Sequence, residues 1–386
     1  MASIFNALMN LVESNDAFLY KDLVLDDVTY RLFDYRLASY SDFLPEYARE
    51  ARGIMFDITD IEKPILVCRP MEKFFNLNEN PFTLDLDLSN VLYVMDKLDG
   101  SLISTYLHKG KLRLKSKMSL DSDQALMAMD WLNLPENANF KESLEVVAES
   151  GLTVSLELTS PLNQVVVKYE NTRLRVINIR DNTTGRHLSL TTFWDTFFDP
   201  DEVVSVTIPH PNEIEELVAG IKDKTGIEGY VLVFPDQLVK VKTDWYRSLH
   251  SAKEGIDIPS RLFESVLCGS QDDLRAMVYQ DSYALSKIDQ MEKAVLPTIK
   301  SWIATTTSYV NQAKEKGWTP KDVSEGLKRD NIPKVLHSPV FCLFRYGEFD
   351  FINWARKNRD SFGIDFSEIR QIPPYVPSSL VSGEVQ

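Results

Sequence analysis

Apolar and polar positions follow three successive rhythms along this chain. Ile4, Phe5, Leu8, Leu11 and Val12 recur at helical spacing, interrupted by Asn6, Asn10 and Glu13, which predicts an amphipathic helix within Met1 to Tyr20. From Tyr30 to about Thr243, short β runs alternate with a few helices. Ser104 and Tyr106, then Leu112 and Leu114, alternate along a hairpin from Leu102 to Lys117 that closes at Lys109-Gly110. Helices are expected over Asp121 to Trp131 and Phe140 to Ser150, with Gly151 ending the second as its C-cap. Thr153 to Thr159, Gln164 to Tyr169 and Leu174 to Arg180 read as strands, and Asp181 to Arg186 as a turn rich in Asn, Thr and Gly. Asn212 is expected to cap a helix running to about Lys224, with Glu213, Glu215 and Glu216 near its positive dipole end. Two further strands, Gly229 to Phe234 and Leu238 to Lys242, are joined at Pro235-Asp236.

After Asp244 the helical period takes over, including a long segment from Ser282 to Lys316 that Pro297 is expected to kink or break. The pattern predicts an α+β chain: a mostly antiparallel-sheet domain with an N-terminal module over 1–250, then an all-helical domain over 251–386. The boundary falls near residues 244–258. The tail, Pro373 to Gln386, has three prolines and several small residues and reads as poorly ordered.

Composition narrows the class. With 386 residues and 44% hydrophobic content, the chain can bury a large core. Cys68, Cys268 and Cys342 are odd in number and far apart, which suggests neither a disulfide framework nor a metal knuckle and points to a reducing cytosol. The first helix lacks the basic and unbroken apolar segments of a signal peptide, and no run approaches the roughly 20 apolar residues of a membrane span. A soluble cytoplasmic protein is expected. Its net charge of −15 argues against a polyanion partner, yet Lys97, Lys109, Lys111, Arg113, Lys115 and Lys117 face a single acid, Asp99, between Lys97 and Met118. That run is either a field-focusing patch or a solvated hairpin.

Chemistry enters at Lys97-Leu98-Asp99-Gly100, held between two apolar runs. A lysine fixed at a turn is a candidate covalent nucleophile, although a K-x-D-G tetrapeptide arises by chance in roughly one such chain in ten. Lys240 and Lys242 project from one strand face, with Val239 and Val241 on the other. Such paired cations suit a phosphate and favour the neutral amine that nucleophilic attack requires; the alternative is an edge-strand charge guard. Glu157 lies in an apolar strand and Glu228 begins another, where carboxylates can hold a ribose hydroxyl or a hydrated magnesium ion, or simply an ion-pair partner. Arg52 and Lys73 stand beside dense apolar residues, within reach of a phosphate or merely snorkelling over the core. The five histidines are scattered without zinc-ligand or triad spacing, and there is no Walker loop or dinucleotide glycine fingerprint.

The order of these pieces resembles a known superfamily. Lys97-Leu98-Asp99-Gly100, Ser155-Leu156-Glu157-Leu158, Glu228-Gly229-Tyr230-Val231 and Val239-Lys240-Val241-Lys242 are similar to motifs I, III, IV and V of covalent nucleotidyltransferases. Arg52-Gly53-Ile54-Met55-Phe56, the stretch Arg69 to Phe82, and Lys240 to Tyr246 resemble the bacteriophage RNA ligase 1 family, closely from about Tyr30 to Met277 and faintly beyond. The resemblance implies an ATP-grasp-like ligase fold for the adenylyltransferase domain and a tRNA-recognising role for the helical one. It implies an ATP- and Mg2+-dependent enzyme that seals RNA 5′-phosphate and 3′-hydroxyl ends, as in repair of cleaved tRNA during phage infection, with no membrane and no stable protein partner. By position, Lys97 is the nucleophile, Arg52 and Lys73 hold ATP phosphates, Lys117 lies near the nucleotide, Glu157 holds the ribose, and Lys240 with Lys242 holds the α-phosphate and pyrophosphate. Glu228, Asp272 and Asp273 are the implied metal ligands, the last two being alternatively helix N-terminal acids after Ser270. Leu98 departs from the acid usual at that position. A DNA ligase or capping enzyme would share Lys97 but add an OB-fold where this chain reads as helical. A non-catalytic RNA-binding module leaves the ordering of Lys97, Glu228 and Lys240 unexplained.

Overall fold

The computed structural model describes residues 2–279 and 281–364; the tail from Pro373 to Gln386 lies outside them. Residues 1–247 belong to one compact unit and Ser248–Pro373 form a second, the division falling inside a helix, Asp244–Asp257. The architecture is α+β: three mostly antiparallel sheets in the first unit, and only helices among the described residues of the second.

Helix α1 (Ala2–Ser14) buries Ile4, Phe5, Leu8 and Leu11 against the first sheet, as its spacing predicts. It stops short of Tyr20 because Phe18 opens strand β1 (Phe18–Leu25) and pairs across the ladder with Tyr35. Strands β2 (Val28–Tyr35), β3 (Ile54–Asp57) and β4 (Ile65–Cys68) complete that sheet in the order β1-β2-β3-β4.

The other ten strands are β5 (Phe75–Asn76), β6 (Tyr93–Lys97), β7 (Ser101–His108), β8 (Lys111–Lys115), β9 (Leu152–Thr159), β10 (Arg173–Asp181), β11 (His187–Leu188), β12 (Val206–Thr207), β13 (Gly229–Val233) and β14 (Leu238–Lys242). They form two sheets, ordered β11-β10-β9-β7-β8 and β12-β6-β13-β14-β5. Met95, Val231 and Val233 of one share a core with Ile103, Leu156, Leu158 and Val176 of the other. Helices α2 (Asp123–Leu132) and α3 (Ala138–Glu149) add Ala128, Leu132, Leu144 and Val147 to the same core. The β7–β8 hairpin turns at Lys109 and Gly110, both with positive φ, which suits the twist of the flanking strands.

Two expectations in this unit need correcting. Gln164 to Tyr169 is not a strand, because the Val166 and Val167 N–H groups, which a ladder would use, both donate to the Asp99 carboxylate. Helix α4 (Leu190–Phe197) is followed by α5 (Ile214–Gly220), which ends before Lys224 and is preceded by a 3-10 turn over Pro211–Glu213. His210, not Asn212, is that turn's cap, its N–H donating to the Glu213 carboxylate.

Helix α6 (Asp244–Asp257) crosses the division. The second unit continues with α7 (Pro259–Leu267), α8 (Gln271–Met277), α9 (Ser282–Glu315), α10 (Pro320–Arg329), α11 (His337–Tyr346) and α12 (Phe351–Lys357). Helix α9 is not broken at Pro297. Met291, Val295 and Ile299 flank the proline and are all buried in one cluster with Leu262, Phe263 and Val266 of α7. Their packing outweighs the roughly 3 kcal/mol that an internal proline costs a helix.

Candidate active site

Strand β13 lies between β6 and β14, and Gly229 is in register with Lys97 on one side and Lys242 on the other. The glycine is required by close approach: a Cβ there would lie 2.0 Å from the Val241 carbonyl oxygen. One residue earlier, Glu228 places a buried carboxylate between both lysines. Its Oε2 is 2.9 Å from Lys97 Nζ and its Oε1 is 2.9 Å from Lys242 Nζ. Lys97 and Lys242 remain 20% and 24% exposed while Glu228 is 4% exposed, so the amines face outward from a carboxylate floor.

The turn after Lys97 is pinned from several sides. Asp99 Oδ2 accepts from Val166 N at 2.7 Å and Val167 N at 2.6 Å, and Asp99 Oδ1 accepts from the Tyr246 hydroxyl at 2.7 Å. Burial, with Glu228 and Asp99 beside it, raises the Tyr246 pKa and keeps that phenol a donor. Asp99 N donates to the Tyr169 hydroxyl at 3.0 Å. Gly100 leaves room for the β9 backbone, since a Cβ would sit 2.2 Å from the Leu158 carbonyl oxygen, and its N–H donates to Glu157 Oε1 at 3.0 Å. Burial pushes Glu157 up to about 7, against the pull of Lys97 and with the push of Glu228. Leu98 packs against the main core, which accounts for an apolar residue at that position.

A cluster of cations faces this turn. Burial drives Lys240 down to about 7, and the charges of Lys73, Lys97, Lys242 and Arg52 add to the shift. Lys240 Nζ and the Arg52 guanidinium both lie over the Phe74 ring, at 5.3 and 5.5 Å from its centroid. Lys73 sits among Tyr35, Phe43 and Phe75 at 5.1, 5.6 and 5.3 Å. Such aromatic faces hold an ammonium without neutralising it. Lys117 lies over the same Tyr35 ring and pairs with Asp34 at 3.0 Å.

The structure therefore gathers Lys97, Glu157, Glu228, Lys240, Lys242, Arg52 and Lys73 around one turn, with Lys117 beside Tyr35. Sequence reasoning missed Asp34, Tyr169 and Tyr246 as partners, since each acts through a contact distant in the chain. The basic run between Lys97 and Met118 is not one patch. Lys115 is fully buried and donates to the Gly53 and Ser116 carbonyls, Lys109 pairs with Asp26 and Asp27, and only Lys111 and Arg113 stand exposed without ion pairs among the described residues. Asp272 and Asp273 are exposed in the first turn of α8, in the second unit. Among the described residues no group of three or more His, Cys, Asp or Glu side chains is arranged to hold a metal. Glu228 offers hard oxygen donors beside a cation-lined face, which fits a hydrated magnesium ion held mainly by substrate phosphates. No described helix is long and apolar enough to cross a membrane.

Comparisons with known proteins show what this chain is similar to. Residues 50–246 match a family model described as RNA ligase, and residues 253–329 match one described as T4 RNA ligase 1, C-terminal domain, so the likeness runs well past Met277. A Thermovibrio ammonificans protein named "Putative RNA ligase" is 30% identical over 257 residues, 63% of this chain and 64% of its own length. RNA ligase 1 of bacteriophage TS2126 is 28% identical over 281 residues, 66% of this chain and 69% of its own. The chain thus spans slightly less than two thirds of the first of these relatives. Among solved structures, an archaeal ATP-dependent RNA ligase covers 77% of this chain and 79% of its own at 15% identity, with a TM-score of 0.46.

Proposed function

The chain belongs to the RNA ligase family, and from that premise we propose that it seals RNA 5′-phosphate and 3′-hydroxyl ends with ATP, through a lysyl-AMP on Lys97. The observation that carries this reading is the Lys97–Glu228–Lys242 bridge on adjoining strands. It sets an amine at the mouth of a cation-lined face, where a nucleotide phosphate can meet it.

In the first step the deprotonated Lys97 Nζ bonds to the α-phosphorus of ATP, and the bond to pyrophosphate breaks. Arg52 and Lys73 hold the phosphates beyond the α, while Lys240 and Lys242 stabilise charge growing on the α-phosphate and the leaving pyrophosphate. Glu157 accepts from the ribose hydroxyls, and Lys117 lies near the nucleotide. In the second step an oxygen of the RNA 5′-phosphate attacks the same phosphorus, the P–N bond breaks, and Lys97 regains a proton. In the third, the 3′-hydroxyl oxygen attacks the 5′-phosphate and AMP leaves. Splitting the joining this way keeps the phosphoryl group activated throughout. Magnesium, when bound, would neutralise the polyphosphate and aid its departure, with Glu228 as its protein ligand. For Asp272 and Asp273 a metal role rests on the resemblance alone, because the helix dipole already accounts for acids in that turn. The substrate we propose is cleaved tRNA in the cytoplasm of a phage-infected cell.

Incubation with magnesium and ATP or GTP labelled at the α-phosphate tests the chemistry. Label surviving a denaturing gel is expected from ATP only and should vanish in Lys97→Ala; retention in that variant would sink the assignment. Circularisation of 5′-phosphorylated RNA should exceed that of matched DNA, and the reverse would move the activity to DNA.

A further inference from the structure

Below the cation face, residues 69–74 run without regular secondary structure. This segment carries Lys73, and its Met71 carbonyl accepts from Arg52 Nη1 at 3.1 Å. Both proposed phosphate grips therefore take their position from it. Having no strand neighbour, the segment is held by side chains and one loop. Arg69 N donates to Thr153 Oγ1 at 2.9 Å, Met71 N to Ser155 Oγ at 3.3 Å, and Lys73 N to the Arg49 carbonyl at 2.8 Å. Its Pro70 carbonyl accepts from Arg180 Nη1 at 2.8 Å.

Arg180 is fixed in turn by a buried carboxylate 130 residues away. Glu50 Oε2 accepts from Arg180 Nη1 at 2.7 Å, and Glu50 Oε1 accepts from Arg180 Nη2 at 2.8 Å and Arg69 Nη2 at 2.7 Å. Glu50 also reaches the site through its own backbone, since its carbonyl accepts from Arg52 N at 2.6 Å. The turn at 181–186 makes room for this assembly. Arg180 Nε donates to the Gly185 carbonyl, and a Cβ on Gly185 would fall 2.5 Å from Arg69 Cζ. A glycine in that turn is thus a socket for the Arg69 guanidinium.

We infer that Glu50 and Arg180 are positioning residues for the two phosphate grips, Arg52 and Lys73, acting through the Arg69–Lys73 segment. This rests on the proposed function. Both side chains are buried and offer no open face to a substrate. Their work falls on the only step in which the ATP phosphates beyond the α are present, so they bear on formation of the lysyl adenylate and hardly on the sealing of RNA that already carries AMP.

The test compares wild type with Glu50→Gln, Arg180→Lys and Gly185→Ala. Two rates are read for each: adenylylation of Lys97 against ATP concentration, and ATP-free sealing of chemically pre-adenylylated RNA. The KM for ATP should rise about tenfold or more while sealing falls less than about threefold, because small displacements of positioning groups are costly only where those groups act. Equal losses in both reactions would make the assembly merely structural and overturn the inference. So would an unchanged KM in folded variants. Should Glu50→Gln fail to fold, Arg180→Lys keeps the buried charge and decides, because Gly185→Ala displaces Arg69 but also strains a positive-φ backbone whose carbonyl accepts from Arg180. A wild-type protein that forms no adenylate would instead refute the proposed function itself.

Discussion

Glu228 and Glu50 are both buried carboxylates that bridge two cations, and they do so with different chemistry. Glu228 holds Lys97 and Lys242 by one 2.9 Å contact each, and both lysines are about a fifth exposed. Glu50 is clasped by Arg180 through two nitrogens and by Arg69 through one, with those side chains 4% and 8% exposed. An ammonium on a flexible stem can leave its carboxylate for a phosphate; a guanidinium already committed to Glu50, Pro70 and Gly185 has no such freedom. Under the proposed function, the contrast separates the part of the molecule that would exchange partners during a reaction from the part that would hold still. On that proposal the charge at the first site has to be redirected, and one long stem does that cheaply.

The largest effect that could break this comparison is on stability. Glu50→Gln should cost about 3–5 kcal/mol, since it leaves Arg69 buried without its counter-charge and Arg180 with only Glu72, 3.6 Å away. Glu228→Gln should cost clearly less, because Lys97 and Lys242 can turn to water; equal losses in denaturant titrations would show that the two carboxylates do the same work. The pH dependence sharpens the point. Burial opposes ionisation of Glu50, but Arg180 and Arg69 prevail and hold its pKa below the usual glutamate value. Its stabilisation is therefore complete above the unfolded value and lost as pH falls through the lower folded one, so the acid limb of the Tm curve should flatten in Glu50→Gln.

Next comes Lys240, which shares the face of the movable lysines. Lys240→Ala should slow adenylylation by about a hundredfold, the scale of losing one preorganised charge at a transition state. A normal adenylylation rate in that variant would remove Lys240 from the phosphate site. A smaller effect follows from burial and the neighbouring cations, which bring Lys240 down to about 7. Lys240 is charged below that pH and neutral above it, so kcat/KM for ATP should decline on the alkaline side. In Lys240→Arg, which stays protonated, the decline should move to higher pH. Glu157, also near 7, is ionised above that pH, so the acid limb should be absent in Glu157→Gln. The smallest effect is expected at the hairpin tip. Lys109 is paired with Asp26 and Asp27 away from the site, and Lys109→Ala should leave adenylylation and RNA binding unchanged. A weakened affinity in a salt titration would restore the basic patch.

Legibility from the sequence followed the distance over which residues cooperate. The hairpin at Lys109-Gly110, the strands carrying Glu157, Glu228, Lys240 and Lys242, and the amphipathic first helix were all readable, because turn chemistry and side-chain period are local properties. Gln164 to Tyr169 was misread as a strand, since its alternation carries no trace of the distant Asp99 that captures two of its N–H groups. That Pro297 does not break α9 could not be read locally either, because neighbours that pack beside it lie on α7. The basic run stayed open between a focusing patch and a solvated hairpin because sequence counts charges, whereas the fold buries Lys115 and hands Lys109 and Lys117 to separate aspartates.

Residue type and spacing alone were enough to single out a candidate lysine, two carboxylates at or beside strands and a pair of strand cations in order along an α+β chain; their roles came from the resemblance. That ordering is local chemistry repeated at four places, and no contact is needed to read it. Which carboxylate serves which cation was decided only by folding. Register brings Lys97 and Lys242 to either side of Gly229, and Glu50 meets Arg180 across 130 residues. Ion pairing depends on distance and on exclusion of water, and neither exists until the strands have packed.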